Sequence, residues 1–196
     1  DLAVAQSKDS GTLDRASPEM KAVIAKLMEL GAKPVNTLTV EQARAQPTPA
    51  DAVKAVLEEA GKPATPEAVG KTEDIKVAGA AGDLDARVYW PLDMQADGAA
   101  LPLIVYFHGG GWVIANLDVY DASPRALANQ AKAVVVSVHY RQGPEDKFPA
   151  AHDDAIAAYK DILANADKWH ANPKTTALAG ESAGGNLAID VAIAAR

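Results

Sequence analysis

No cysteine occurs among the 196 residues, which removes disulfides, thiolate metal sites and cysteine nucleophiles together. The compartment stays open between cytoplasm and periplasm or secretion, because an oxidising space permits disulfides without requiring them. No apolar run reaches the roughly 18 residues that a spanning helix needs, so no membrane span is expected. Clusters of Lys and Arg are missing too: 19 basic residues face 26 acidic ones, for a formal charge of -7. Such a surface repels phosphate backbones, and nucleic acid is not an expected partner. The spacings of dinucleotide and P-loop motifs are absent at the glycine-rich turn of residues 180–184, and His108 has no spaced histidine or carboxylate companion for a metal site. No cofactor and no metal are expected.

Against these absences stands a 48% hydrophobic fraction with 23% charged residues, which suits a folded core and argues against intrinsic disorder. The length fits one buried core with a small appendage. Residues 1–70 carry apolar positions at helical spacing between Pro, Thr and Gly breaks. Ser17-Pro18-Glu19 sets a capping hydroxyl before a proline, and Met20, Val23, Ile24, Leu27 and Leu30 form one stripe that Gly31 ends. That spacing predicts a helix of roughly four turns. Thr39-Val40-Glu41-Gln42 has capping-box spacing for a short second helix. Residues 51–60, closed by Gly61, predict a third with Val53, Val56 and Leu57 inward. The region 1–70 is thus expected to be a helical cap region, and residues 71–196 a separate portion with its own strands.

From residue 71 the period changes. Ile75, Val77 and Gly79 share one side of a short strand, and residues 83–90 alternate until Pro91 stops them, which predicts an antiparallel hairpin. Residues 93–100 read as a loop. Leu101–Phe107 is a continuous apolar run, as in a strand covered on both faces. Helix is predicted over 123–131, strand over 133–138, helix over 150–163, strand over 175–179 and helix over 185–195. Strand alternating with helix means parallel strands with crossover helices, hence an α/β fold with a doubly wound, mostly parallel sheet. Ligands then sit at the carboxyl ends of the strands.

Gly180-Glu181-Ser182-Ala183-Gly184 fits G-x-S-x-G and lies directly between a predicted strand and a predicted helix. A chain turning that sharply throws the central side chain outward, while the flanking glycines avoid clashes. Ser182 would stand exposed at the helix head, where the Ala183 N–H is free to meet a developing negative charge. The blander readings are a tight connection or a phosphate turn.

His108-Gly109-Gly110-Gly111-Trp112 follows the buried run. Three consecutive glycines are costly in backbone entropy and suggest amides that approach something closely. Gly109 and Gly110 would join Ala183 in an oxyanion hole, where losing one donor costs roughly 3 kcal/mol of transition-state stabilisation. His108 is better placed to brace that loop by hydrogen bonding than to act as general base. Trp112 reads as a packing residue or a pocket wall.

With both motifs in place, the sequence resembles the hormone-sensitive lipase family of α/β-hydrolases, in its bacterial esterase branch. The resemblance rests on the glycine loop, Tyr140-Arg141 with Pro144-Glu145, Phe148-Pro149-Ala150 followed by Asp153, and the run from Gly180 to Asn186. It implies Ser182 as nucleophile, the amides of Gly109, Gly110 and Ala183 as the oxyanion hole, and His108, Gly111, Trp112, Glu181 and Gly184 as supporting residues. Glu145 and the Tyr140-Arg141 pair belong by the same resemblance to the scaffold, although the residues alone would equally suit a surface ion pair. Asp153 is likewise structural. Gln142-Gly143 stands where the family usually has Leu-Ala, and Glu181 where Asp is frequent.

A serine needs an imidazole within reach and an acid to fix its tautomer, and in this fold they follow in the order Ser, acid, His. After Ser182 there is Asp190 within a predicted helix and no histidine; His108, His139, His152 and His170 all precede it. His139, at a strand end, is the least awkward substitute. The expectation is that this chain holds the N-terminal part of the fold, with acid and histidine on a missing C-terminal segment or a second chain. The implied activity is hydrolysis of short to medium acyl esters, small molecules, with self-association left open. A rival is a catalytically inactive α/β-hydrolase that binds a small molecule as a receptor.

Overall fold

The computed structural model describes residues 15–93 and 98–196. The chain divides into two compact units, Asp1–Thr65 and Pro66–Arg196. In the first, helix α1 spans Pro18–Glu29, with the Ser17 hydroxyl accepting from the Met20 N–H. A 3₁₀ turn at Val35–Thr37 leads to α2, Val40–Ala45, and then to α3, Pro49–Glu59. Both α2 and α3 open on full capping boxes, Thr39 with Gln42 and Thr48 with Asp51. Each box satisfies N–H groups that a helix start leaves orphaned.

Two details of this unit depart from the sequence pattern. Helix α3 starts two residues before position 51, because Thr48 rather than a later residue caps it and Pro49 fits the first turn. Its buried residue is Ala52, whereas Val53, expected inward, is 42% exposed. On α1 the one buried residue is Lys26, whose ammonium lies 2.6 Å from both Glu29 and Glu59. Its long stem covers apolar surface while two carboxylates satisfy the head.

The second unit is built on a five-stranded sheet, ordered β1-β2-β4-β3-β5 over the described residues. Strands β1 (Lys71–Ala78) and β2 (Asp83–Trp90) form the expected antiparallel hairpin, and β2 also pairs antiparallel with β4 (Val134–Val138). Strand β3 (Leu101–Phe107) is parallel to β4 on one side and to β5 (Ala171–Gly180) on the other. Strand β5 is longer than the predicted 175–179. Pro102 faces Asn172 and Leu103 faces Thr176, so residues 173–175 bulge out between those rungs. The loop expected over 93–100 lies partly outside the described residues.

Side chains alternate across the sheet as the period of two requires. Leu103, Val105 and Phe107 of β3 face helices α5 (Ala150–Ala164) and α6 (Ala183–Ala194), where Ile162, Leu187 and Val191 complete the larger core. Ile104 and Tyr106 face the opposite side, with Ala128 of α4 (Ala122–Ala131), Tyr89 and Val135. Both faces of β3 are covered, which is why its sequence is apolar throughout rather than alternating.

Candidate active site

The path of the chain sets the site. From β3 it leaves through α4 on one face; from β5 it leaves through α6 on the other. Where two adjacent parallel strands send their chains to opposite faces, a crevice opens at their carboxyl ends. Phe107 and Gly180, the last residues of β3 and β5, are partners in the same rung. The glycine loop and the G-x-S-x-G turn therefore begin side by side.

At the end of β5, Ser182 is exposed and adopts φ +53° and ψ -117°. A positive φ is unfavourable for a residue with a Cβ and persists only where the surroundings impose it. The surroundings are tight. A methyl group at Gly180 would overlap the Gly184 carbonyl, and one at Gly184 would overlap the carbonyl oxygens of Phe107 and His108. Glycine at 184 lets α6 press onto the end of β3, and the helix begins at Ala183, two residues before the predicted start. The Gly184 N–H turns back to Glu181 O at 2.8 Å, and the Asn186 N–H to Ser182 O at 3.1 Å. The Ala183 amide donates no hydrogen bond among the described residues.

The glycine loop meets this turn directly. A Cβ placed on Gly109 would lie 3.1 Å from Glu181 O and would overlap the Tyr120 hydroxyl. Gly110 has φ +117°, and its carbonyl accepts from the Val113 and Ile114 amides. Gly111 and Trp112 follow at φ +60° and +59°. The amides of Gly109 and Gly110, like that of Ala183, donate no hydrogen bond among the described residues. Three unengaged N–H groups thus lie in two turns that start from one rung, and two or three such donors are what an oxyanion would need.

Behind the loop, His108 is fully buried. Its Nδ1 lies 2.7 Å from Gly109 O and its Nε2 3.0 Å from His139 Nδ1. The ring stacks on Tyr140 and His139 at centroid separations of 4.6 and 5.2 Å. Burial pushes the His108 pKa down to about 4, with the Gly109 hydrogen bond opposing and His139 adding to the shift. The imidazole is neutral near pH 7. The Tyr140 hydroxyl donates to His108 O at 2.7 Å, and burial raises its pKa. Burial raises the Tyr120 pKa first, and the neighbouring Glu181 carboxylate adds to the shift.

The other residues singled out from sequence fall as follows. Trp112 is 36% exposed and stacks on His152, 6.1 Å between centroids. His152 Nε2 lies 3.0 Å from Asn186 Oδ1, and His170 Nε2 lies 2.8 Å from Gly98 O. None of these contacts is with Ser182. Glu145 and Asp153 are exposed. The structural carboxylate is instead Asp154, fully buried, which accepts from Arg141 Nε and Nη2 at 2.8 Å each and from the Arg141 and Ala80 amides. Burial alone would raise its carboxyl; the Arg141 and backbone hydrogen bonds outweigh that and hold it low. One position along a helix rotates a side chain by about 100°, so Asp153 points outward where Asp154 faces the sheet.

Sequence reasoning missed Tyr120 and the pairing of His108 with His139. Among the described residues no group of three or more His, Cys, Asp or Glu side chains could hold a metal ion, and no helix is long and apolar enough to cross a membrane.

Residues 104–196 match the sequence profile of the α/β hydrolase fold. Carboxylesterase NlhH of Mycobacterium tuberculosis is 45% identical over 114 residues, covering 58% of this chain and 35% of that protein. The gibberellin receptor GID1C of Arabidopsis thaliana is 38% identical over 130 residues, covering 58% of this chain and 37% of the receptor. Among solved structures, the hyperthermophilic esterase of the archaeon Pyrobaculum calidifontis superposes with a TM-score of 0.74 at 39% identity, over 92% of this chain and 54% of its own. The chain spans about a third of the length of the curated relatives it matches and about half that of the solved structure.

Proposed function

We propose, on the premise that the chain belongs to the hormone-sensitive lipase family of α/β-hydrolases, that it carries the nucleophile and oxyanion hole of a serine carboxylesterase. The observation that carries the reading is the exposed Ser182 at positive φ, two residues past the Phe107–Gly180 rung from which the glycine loop and its unengaged amides also start. Ser182 Oγ attacks the ester carbonyl carbon, and the carbonyl oxygen becomes an oxyanion held by the amides of Gly109, Gly110 and Ala183. The imidazole takes the Ser182 proton during attack and gives it to the alcohol, which leaves as collapse breaks its bond to the acyl carbon. Water then hydrolyses the acyl-enzyme. The imidazole and its acid come, in this reading, from a C-terminal segment or second chain, as the fold's order of Ser, acid, His requires. Substrates are small esters with short to medium acyl chains, and no cofactor takes part.

A second reading, an inactive hydrolase serving as a small-molecule receptor, is favoured by the match to the gibberellin receptor. One experiment separates the two. The full-length protein is incubated with a fluorophosphonate and digested, and the adduct is located by mass spectrometry. Rapid, stoichiometric labelling at Ser182, lost in Ser182→Ala, is expected of the esterase. Labelling no faster than that of a free serine would favour the receptor.

A further inference from the structure

The glycine loop is gripped from behind. In a trans peptide the C=O of one residue and the N–H of the next belong to one rigid plane and point in opposite directions. A hydrogen bond that fixes the carbonyl therefore aims the amide. The plane that carries the Gly109 N–H has the His108 carbonyl on its far side, and the Tyr140 hydroxyl donates to that oxygen at 2.7 Å. The plane that carries the Gly110 N–H has the Gly109 carbonyl on its far side, 2.7 Å from His108 Nδ1. A carbonyl only accepts, so Nδ1 is the protonated nitrogen, and in a neutral imidazole Nε2 is then an acceptor. His139 Nδ1, 3.0 Å from Nε2, is the donor that closes the chain.

We propose that Tyr140 and His139 are positioning residues of the oxyanion hole. Tyr140 aims the Gly109 amide through the His108 carbonyl. His139 aims the Gly110 amide by selecting the His108 tautomer that holds the Gly109 carbonyl. The inference rests on the reading of Gly109 and Gly110 as oxyanion donors. Glycine has no Cβ to bias its backbone, and Gly110 at φ +117° lies where little else would hold it. Both Tyr140 and His108 are buried, so a lost partner there is not replaced by bulk solvent.

The first test is independent of activity. Full-length protein with ¹⁵N-labelled histidine, observed by long-range proton–nitrogen correlation at neutral pH, is expected to show His108 protonated on Nδ1 and bare on Nε2. A proton on Nε2 instead would overturn the proposal. The second test is kinetic, with short-chain p-nitrophenyl esters as probe. Tyr140→Phe and His139→Ala should each lower kcat by about ten- to a hundredfold with KM nearly unchanged. His139→Asn, whose amide N–H can take the place of Nδ1–H, should recover most of the loss. Unchanged kcat in the first two variants would also overturn it. If the wild type fails to hydrolyse esters, the proposed activity fails, and the tautomer measurement alone decides the positioning role.

Discussion

Ser182 at φ +53° stores strain of roughly 1–3 kcal/mol, held in place by the strand before it and the helix after it. Glycine would relieve that strain but would also give the unfolded chain more freedom. Ser182→Gly is expected to be more stable than Ser182→Ala by about 1 kcal/mol in chemical denaturation, both variants being inactive. Equal midpoints would mean that the turn carries no strain. His108 contributes in a different way. Its folded pKa is about 4 against an ordinary 6.5, so between those values the unfolded chain binds a proton that the folded chain refuses. Acid therefore favours unfolding: stability should fall by about 3 kcal/mol as pH drops from 6.5 to 4. Below 4 both states are protonated and this loss stops. His108→Gln, compared over the same window, should flatten the slope; a slope unchanged in that variant would refute the assignment. Ser182 and the glycines were legible because motif and context coincide. The partnership of His108 with His139 was not, because it depends on the rung joining Phe107 to Val138, and a spacing of 31 residues says nothing about register.

Among elements, Asp154 makes a junction of three. Its carboxylate joins helix α5 to the segment after β4 through Arg141 and to the turn of the β1–β2 hairpin through the Ala80 amide. Removing the buried carboxylate leaves the part-exposed Arg141 guanidinium and the Ala80 amide without their acceptor. Asp154→Asn is expected to cost about 3 kcal/mol in urea unfolding, against less than about 0.5 kcal/mol for the exposed Asp153→Asn. Similar losses in both would return the structural role to Asp153. The helices and strands themselves were readable from caps and periodicity, to within one or two residues at most ends. The facing of α3 was not, since the half-buried Val56 and Leu57 and the buried Ala52 leave Val53 on the outer side, a choice that packing makes and hydrophobicity alone does not.

At the scale of the molecule, the alternation of strand and helix from residue 101 onward specified the parallel strands β3, β4 and β5 and their crossovers. It did not specify that the hairpin would add itself beside β4, because antiparallel pairing between distant strands leaves no mark in either sequence. Nor did periodicity reveal the bulge at residues 173–175, which lets β5 run past its apolar stretch and still come back into step with β3 from Leu103 to Phe107. That restored step has a consequence for how the crevice can change. The Ser182 turn and the glycine loop start from neighbouring strands of one sheet, so the spacing between them is set by the main chain. Side-chain substitutions around the two turns can reshape the surface there without retuning that spacing, because the rungs of the sheet fix it and the side chains do not.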